Sequence, residues 1–215
     1  MNRKEQIAEI LLDLKAVSVS PRQPFTWASG LRAPLYCDNR LIISTVAQRR
    51  IVIEGFVALM QELDWKPEVV AGTATAGIPH AAWLAEALSL PMIYIRSAEK
   101  KHGKKNRIEG TLPTGAEVVV IEDLISTGGS SISAAQGVEE AGGRVLGIAA
   151  IFRYGMSRAD KAFAEADINY ASLTDLPALL DVALRRGYLV EDERQAVLAW
   201  REDPALWSQQ FEGKG

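Results

Sequence analysis

Glu122 and Asp123 stand just ahead of a run of small hydroxyl and glycine residues, Ser126, Thr127, Gly128, Gly129 and Ser130. An apolar-periodic segment follows, so these amides and hydroxyls gather at the start of a helix. There the helix dipole and the unsatisfied N–H groups favour an anion such as a phosphate. Two carboxylates beside a phosphate are repelled by it unless they face something else, and a sugar diol or a magnesium ion answers that need. The spacing matches neither Gly-x-x-x-x-Gly-Lys-Ser/Thr nor Gly-x-Gly-x-x-Gly after a first strand, which argues against a P-loop hydrolase and a dinucleotide fold.

A second loop, Gly-Thr-Ala-Thr-Ala-Gly at residues 72–77, has glycines at both ends and precedes a helix, so the amides and hydroxyls around Thr73, Ala74 and Thr75 could hold a second anion. A third stretch, residues 96–110, is the most basic in the chain, with Lys100, Lys101, His102, Lys104, Lys105 and Arg107 around Gly103. A charge run is usually a solvated face. This one follows a strand end and fills a connection too long for an idle βα loop, which points to a cationic lid that closes over a diphosphate.

These loops need a frame to position them. Residues 118–121, Val-Val-Val-Ile, are too few for a helix and β-branched, and read as a buried strand with the two acids following at its end. Strands are expected at 68–71, 92–95, 145–152 and 168–173, the last as an edge. Helices are expected at 78–88, 130–141 and 157–166. This alternation predicts an α/β fold with a parallel, helix-covered sheet whose ligands bind at the carboxyl ends of its strands. Ahead of it, Asn2 and Glu5 make a capping box for an amphipathic helix, and Thr45 with Gln48 a second one for a helix reaching Asp64, with Val46, Ile53, Val57 and Met60 on one face. Residues 25–40, with turn signals at Gly30 and Pro34, read as a hairpin-like cover. Two tail helices, 174–186 and 191–201, read as structural cover.

At 215 residues the chain fits one domain with a sizeable core, and a formal net charge of -3 argues against a general nucleic-acid binder. A single cysteine, Cys37, the absence of a secretory pattern at the start and the lack of any transmembrane-length apolar run fit a cytoplasmic protein. Cys37 reads as a small core residue and His80 as a packed or capping one.

The strand, paired acids and hydroxyl-rich loop together closely resemble the phosphoribosyl pyrophosphate (PRPP) signature of the type I phosphoribosyltransferases. The FTWASG segment, the YIR…KHG stretch, EDLISTGGS and Arg153 narrow the resemblance to the orotate phosphoribosyltransferases. It covers most of the chain. It implies a single domain, 1–215, with an N-terminal hood at 1–43, an α/β core at 65–173 and C-terminal helices at 174–215. The implied reaction converts orotate and PRPP to orotidine 5′-monophosphate and pyrophosphate, with magnesium (Mg2+) carried mainly by PRPP rather than by a firm protein ligand. Lys100, His102 and Asp123 match catalytic positions. Arg96, Lys100, His102, Glu122, Asp123, Leu124, Ile125, Ser126, Thr127, Gly128, Gly129 and Ser130 match the PRPP site, and Thr73, Ala74 and Thr75 the pyrophosphate loop. Ser126 and Arg153 match orotate contacts, and the lid is implied to reach across a homodimer. Ala28 and Ser97 depart from lysines found in some members. A PRPP-sensing regulator would need a DNA-binding segment or basic face that this chain lacks, and the FTWASG segment and Arg153 argue against another acceptor base.

Overall fold

The structure, a computed structural model, describes residues 2–27, 29–97 and 107–211. Helix α1 (Arg3–Asp13) starts with the expected capping box: the Glu5 amide donates to the Asn2 side chain, and the Glu5 carboxylate accepts from the Asn2 amide. The next segment forms two small antiparallel pairs. Strand β1 (Val17–Val19) pairs with β4 (Leu35–Cys37), and β2 (Phe25–Thr26) with β3 (Arg32–Ala33). Gly30 turns the second hairpin at φ +85°, a conformation that favours glycine, and Pro34 falls between β3 and β4 where no ladder amide is needed. A 3-10 turn (Asn39–Ser44) leads into α2 (Val46–Glu62).

The capping box expected at Thr45 and Gln48 does not form. The Thr45 hydroxyl donates back to the Ile42 carbonyl, because the preceding 3-10 turn offers an acceptor before the helix can offer a donor. Val46 is half exposed rather than on the buried face, which carries Val52, Ile53, Phe56, Leu59 and Met60.

The main sheet consists of β5 (Val69–Thr73), β6 (Met92–Ile95), β7 (Ile108–Glu109), β8 (Glu117–Ile125), β9 (Arg144–Arg153) and β10 (Tyr170–Asp175). Its spatial order is β10-β9-β8-β5-β6-β7, parallel except for β7 at one edge. Helices α3 (Gly77–Leu88), α4 (Gly129–Glu140) and α5 (Ser157–Ala166) make the crossovers. Alternate residues of the strands feed two cores. Val70, Val119, Ile121 and Ile151 pack with α1, α2 and the tail, while Val118, Val120, Ile148 and Ala150 pack with Val138 of α4 and Phe163 of α5. Burial on both faces explains the continuous apolar runs of these strands.

Strand β8 is longer than residues 118–121. It continues through Glu122 and Asp123, which lie within the strand rather than after it, because β9 keeps pairing as far as Ile125 and Arg153. Likewise Arg153 is the last residue of β9. Strand β10 begins at Tyr170 and ends on Asp175, whose carboxylate accepts from the Ala178 amide and caps α6 (Leu176–Arg185). The tail then adds α7 (Glu191–Glu202) and a third helix, α8 (Pro204–Gln209). Asp203-Pro204 starts that helix as N-cap and N1 instead of ending the chain's helical structure. Strand β7 was also unforeseen: two residues at the end of the basic stretch turn back to pair with β6.

Candidate active site

From β5 the chain leaves the sheet to one side, toward β6, and from β8 to the other, toward β9 and β10. The crevice at such a reversal of strand order, at the carboxyl ends, is where an open α/β sheet binds its ligands. A cavity of about 330 Å³ lies there. Its walls bring together the loop Thr73, Ala74 and Thr75, the lid-strand residues Arg96 and Ser97, the acids Glu122 and Asp123 with Leu124, and Ser130 of α4. Three segments far apart in sequence thus meet at one place.

The 72–77 loop is held tight against β8. A Cβ on Gly77 would come within 2.4 Å of the Ile121 carbonyl oxygen and 2.5 Å of Thr73 Oγ1, so only glycine allows α3 to start there. The Ala74–Thr75 peptide is cis. At the other loop, Gly128 is the N-cap of α4 at φ +83°, with Phe163 of α5 packed beneath it. Gly129 and Ser130 are exposed, and the first amides of α4 have no partner within their own helix.

The two acids differ in surroundings. Glu122 is buried, and its carboxylate accepts from Thr73 Oγ1 at 2.8 Å, from the Asp123 amide at 3.0 Å and from Ser131 Oγ at 3.1 Å. Burial first, and the neighbouring Asp123 second, push its pKa up to about 7. Asp123 is half-buried on the cavity wall, and its carbonyl accepts from Asn39 Nδ2 at 2.7 Å. Asn39 is fully buried in the 3-10 turn, so the hood is tied directly to the strand that carries the acids.

Arg107 anchors the base of the basic stretch. Its Nε donates to the Arg96 carbonyl at 3.1 Å, its Nη1 to Ser133 Oγ and carbonyl at 3.0 Å, and its own carbonyl accepts from the Arg96 amide at 2.9 Å. Arg96 also lies 3.7 Å from the Glu109 carboxylate. Lys100, His102 and the other lid residues between Ser97 and Arg107 lie outside the described residues.

Ser126 and Arg153 do not line the same cavity. Ser126 and Thr127 face a second space of about 330 Å³, bounded by Trp27 and Leu31 of the hood, Met156 and the α7–α8 junction. Arg153 is half-buried with its guanidinium carbon 5.4 Å from the centre of the Tyr170 ring, and its Nε has no hydrogen-bond partner among the described residues. Cys37 is a half-buried residue of the hood, and burial, then Asp123 and Asp38, raise its thiol well above the usual range. His80 is packed, not capping: it is fully buried against Trp83, and neither ring nitrogen has a hydrogen-bond partner among the described residues.

Sequence reasoning did not single out Asn39, Ser131 or Ser133, nor the Thr73–Glu122 bond. Ser131 sits within the hydroxyl-rich run and was legible as composition. The others act across elements and have no local signal.

The family profile "Phosphoribosyl transferase domain" matches residues 46–171. An orotate phosphoribosyltransferase of Halalkalibacterium halodurans is 52% identical over 95% of this chain and 98% of its own length. That of Listeria innocua is 48% identical over 96% and 99%. The chain belongs to the orotate phosphoribosyltransferase family. The crystal structure of the family member from Aeropyrum pernix superposes with a TM-score of 0.74 at 27% identity, covering 86% of this chain and 99% of that one. The family fold accounts for the six-stranded sheet and its flanking helices.

Proposed function

We infer that the protein transfers the phosphoribosyl group of PRPP to orotate, giving orotidine 5′-monophosphate and pyrophosphate in pyrimidine biosynthesis. The observation that supports this reading is the cavity at the crevice, where the 73–75 loop and Ser130 at the start of α4 flank a pair of carboxylates. A donor with phosphate at one end and diphosphate at the other has that charge pattern. In this reading Leu124, Ile125, Ser126, Thr127, Gly128, Gly129 and Ser130 supply the loop around the five-phosphate. Thr73, Ala74 and Thr75 take the pyrophosphate with Arg96, Lys100 and His102.

Displacement at an anomeric carbon passes through an oxocarbenium-like state, so the protein's work is positioning and charge. Asp123, on the cavity wall, is placed to hold the ribose hydroxyls and offset the positive charge that grows on the ring. Orotate is a planar anion, for which the guanidinium fork of Arg153 is a suitable partner, with the Ser126 hydroxyl as a further donor. Magnesium would come in on the phosphates of PRPP and neutralise the leaving group. The donor set fits that mode of delivery, because Glu122 already has both its oxygens engaged by protein donors.

The basic stretch is read as a lid that closes over a neighbouring subunit's site in a homodimer. No helix among the described residues is long and apolar enough to cross a membrane.

The deciding experiment follows orotate absorbance with purified protein, PRPP and magnesium, using uracil and hypoxanthine as parallel acceptors. Orotate loss that requires both PRPP and magnesium is expected. Turnover of another base, or PRPP binding without turnover, would reject the acceptor or the catalytic reading respectively. Sedimentation at assay concentration tests the dimer, and recovery of activity on mixing a lid variant with a cavity variant tests the shared lid.

A further inference from the structure

Main-chain pairing between β5 and β8 stops at Gly72 and Ile121, whereas β8 stays paired with β9 to Ile125. Beyond that point the two strands hold their separation through side chains. Thr73, the last residue of β5, shares its hydroxyl proton between the Ile121 carbonyl at 3.1 Å and Glu122 at 2.8 Å, and Glu122 also accepts from its own strand's Asp123 amide and from Ser131 in the first turn of α4. One carboxylate therefore joins the pyrophosphate loop, the acid-bearing strand and the phosphate-binding helix.

We propose that Ser131 is a positioning residue for the donor site: through Glu122, its hydroxyl fixes the spacing between the pyrophosphate loop and the start of α4. The inference rests on the function proposed above and deepens it. Ser131 is 1% exposed and Glu122 7%, so Ser131 acts from behind the cavity wall without touching a ligand. A donor anchored at both ends is sensitive to that spacing, since misplacement of either cradle weakens both contacts and the alignment of the anomeric carbon between them. A buried carboxylate whose lone pairs are taken by protein donors holds such a spacing rigidly. Arg107 fastens the same turn of α4 from its other side through Ser133, so this end of the helix is pinned at two points.

The test measures PRPP affinity by calorimetry alongside steady-state kinetics on the full chain. For Ser131→Ala, PRPP affinity is expected to fall about tenfold and the PRPP KM to rise in step, while orotate KM stays within about twofold. Ser131→Thr, which keeps the hydroxyl, should restore both. Glu122→Gln can still accept from Thr73 and should bind PRPP better than Glu122→Ala. The Ser131→Ala/Glu122→Ala double variant should be no worse than Glu122→Ala alone, because both remove the same brace. Unchanged PRPP affinity in folded Ser131→Ala overturns the proposal, as do additive effects in the double variant. Equal damage from Gln and Ala at 122 overturns it too, by making carboxylate charge at the ribose the role of Glu122. If Ser131→Ala fails to fold, the Glu122 pair decides. Wild-type protein that binds PRPP yet consumes no orotate defeats the acceptor reading, and the calorimetric comparison still judges the brace.

Discussion

Asp123 and Glu122 are adjacent acids with separate tasks imposed by the pleat of β8. Glu122 is turned into protein donors from Thr73 and Ser131, while Asp123 is left half-buried on the cavity wall. On the function proposed above, charge at Asp123 is therefore what the reacting sugar would meet. Asp123→Asn is expected to lower kcat by about a hundredfold or more, the scale of losing one electrostatic stabiliser of a transition state. The melting temperature should stay near wild type, since the Asn39 bond goes to the backbone carbonyl of Asp123 and survives. Turnover within twofold of wild type would remove Asp123 from the mechanism. Gly77 is the second residue-scale case. Gly77→Ala drives a methyl into the Ile121 carbonyl and Thr73 Oγ1, the second of which belongs to a residue lining the cavity. Neither is the free end of a flexible side chain, so the loop must move. Weakened PRPP binding together with lost stability is expected, measured by calorimetry and thermal denaturation.

Among elements, the tail helices do more than cover the core. Trp200 of α7 is fully buried and meets Trp27 of the hood edge-on at 5.5 Å and Tyr154 at 5.4 Å. Trp27 in turn stacks on Tyr154 and donates its indole N–H to the Leu35 carbonyl. In α8, Ser208 Oγ accepts from the Arg32 amide at 2.9 Å, satisfying a hood strand that has little ladder of its own. Two small hairpins could not stay folded alone. Here they are clamped between the tail and the Asn39–Asp123 bond. Trp200→Ala should cost about 3–5 kcal/mol, which corresponds to a fall of roughly 10 °C in melting temperature. A thermal shift of a degree or two would mean that the hood does not depend on the tail.

At the scale of the whole molecule, His80 links the fold to pH. It is fully buried beside Trp83, over whose ring Arg49 lies at 4.5 Å, and burial lowers its pKa from 6.5 to about 4. The unfolded chain takes up the proton first on acidification, so the contribution is complete above pH 6.5 and is lost as pH falls toward 4. Its full size is about 3 kcal/mol. His80→Phe should flatten the fall in melting temperature over that interval. An unchanged pH profile would assign the acid lability to other groups.

The hydrophobic strand, paired acids and hydroxyl-rich loop were legible because each is a local pattern: β-branched runs bury on both faces, and small residues at a helix start present amides. From these the parallel sheet, the strand-end loops and the family resemblance follow, and the capping box at Asn2 and Glu5 does too. The extent of β8 was not legible, since Glu122 and Asp123 look like loop residues until β9 is alongside to pair with them. Helix α8 and strand β7 are too short to show periodicity and exist because Trp207 buries against the core and β6 offers an open edge. Sequence by itself determined which chemistry the chain carries, because donors, acids and cations are residue types. Tertiary structure alone decided how they divide that work, because the bonds from Thr73 and Ser131 to Glu122 and from Asn39 to the Asp123 carbonyl arise only when elements separate in sequence meet at one crevice.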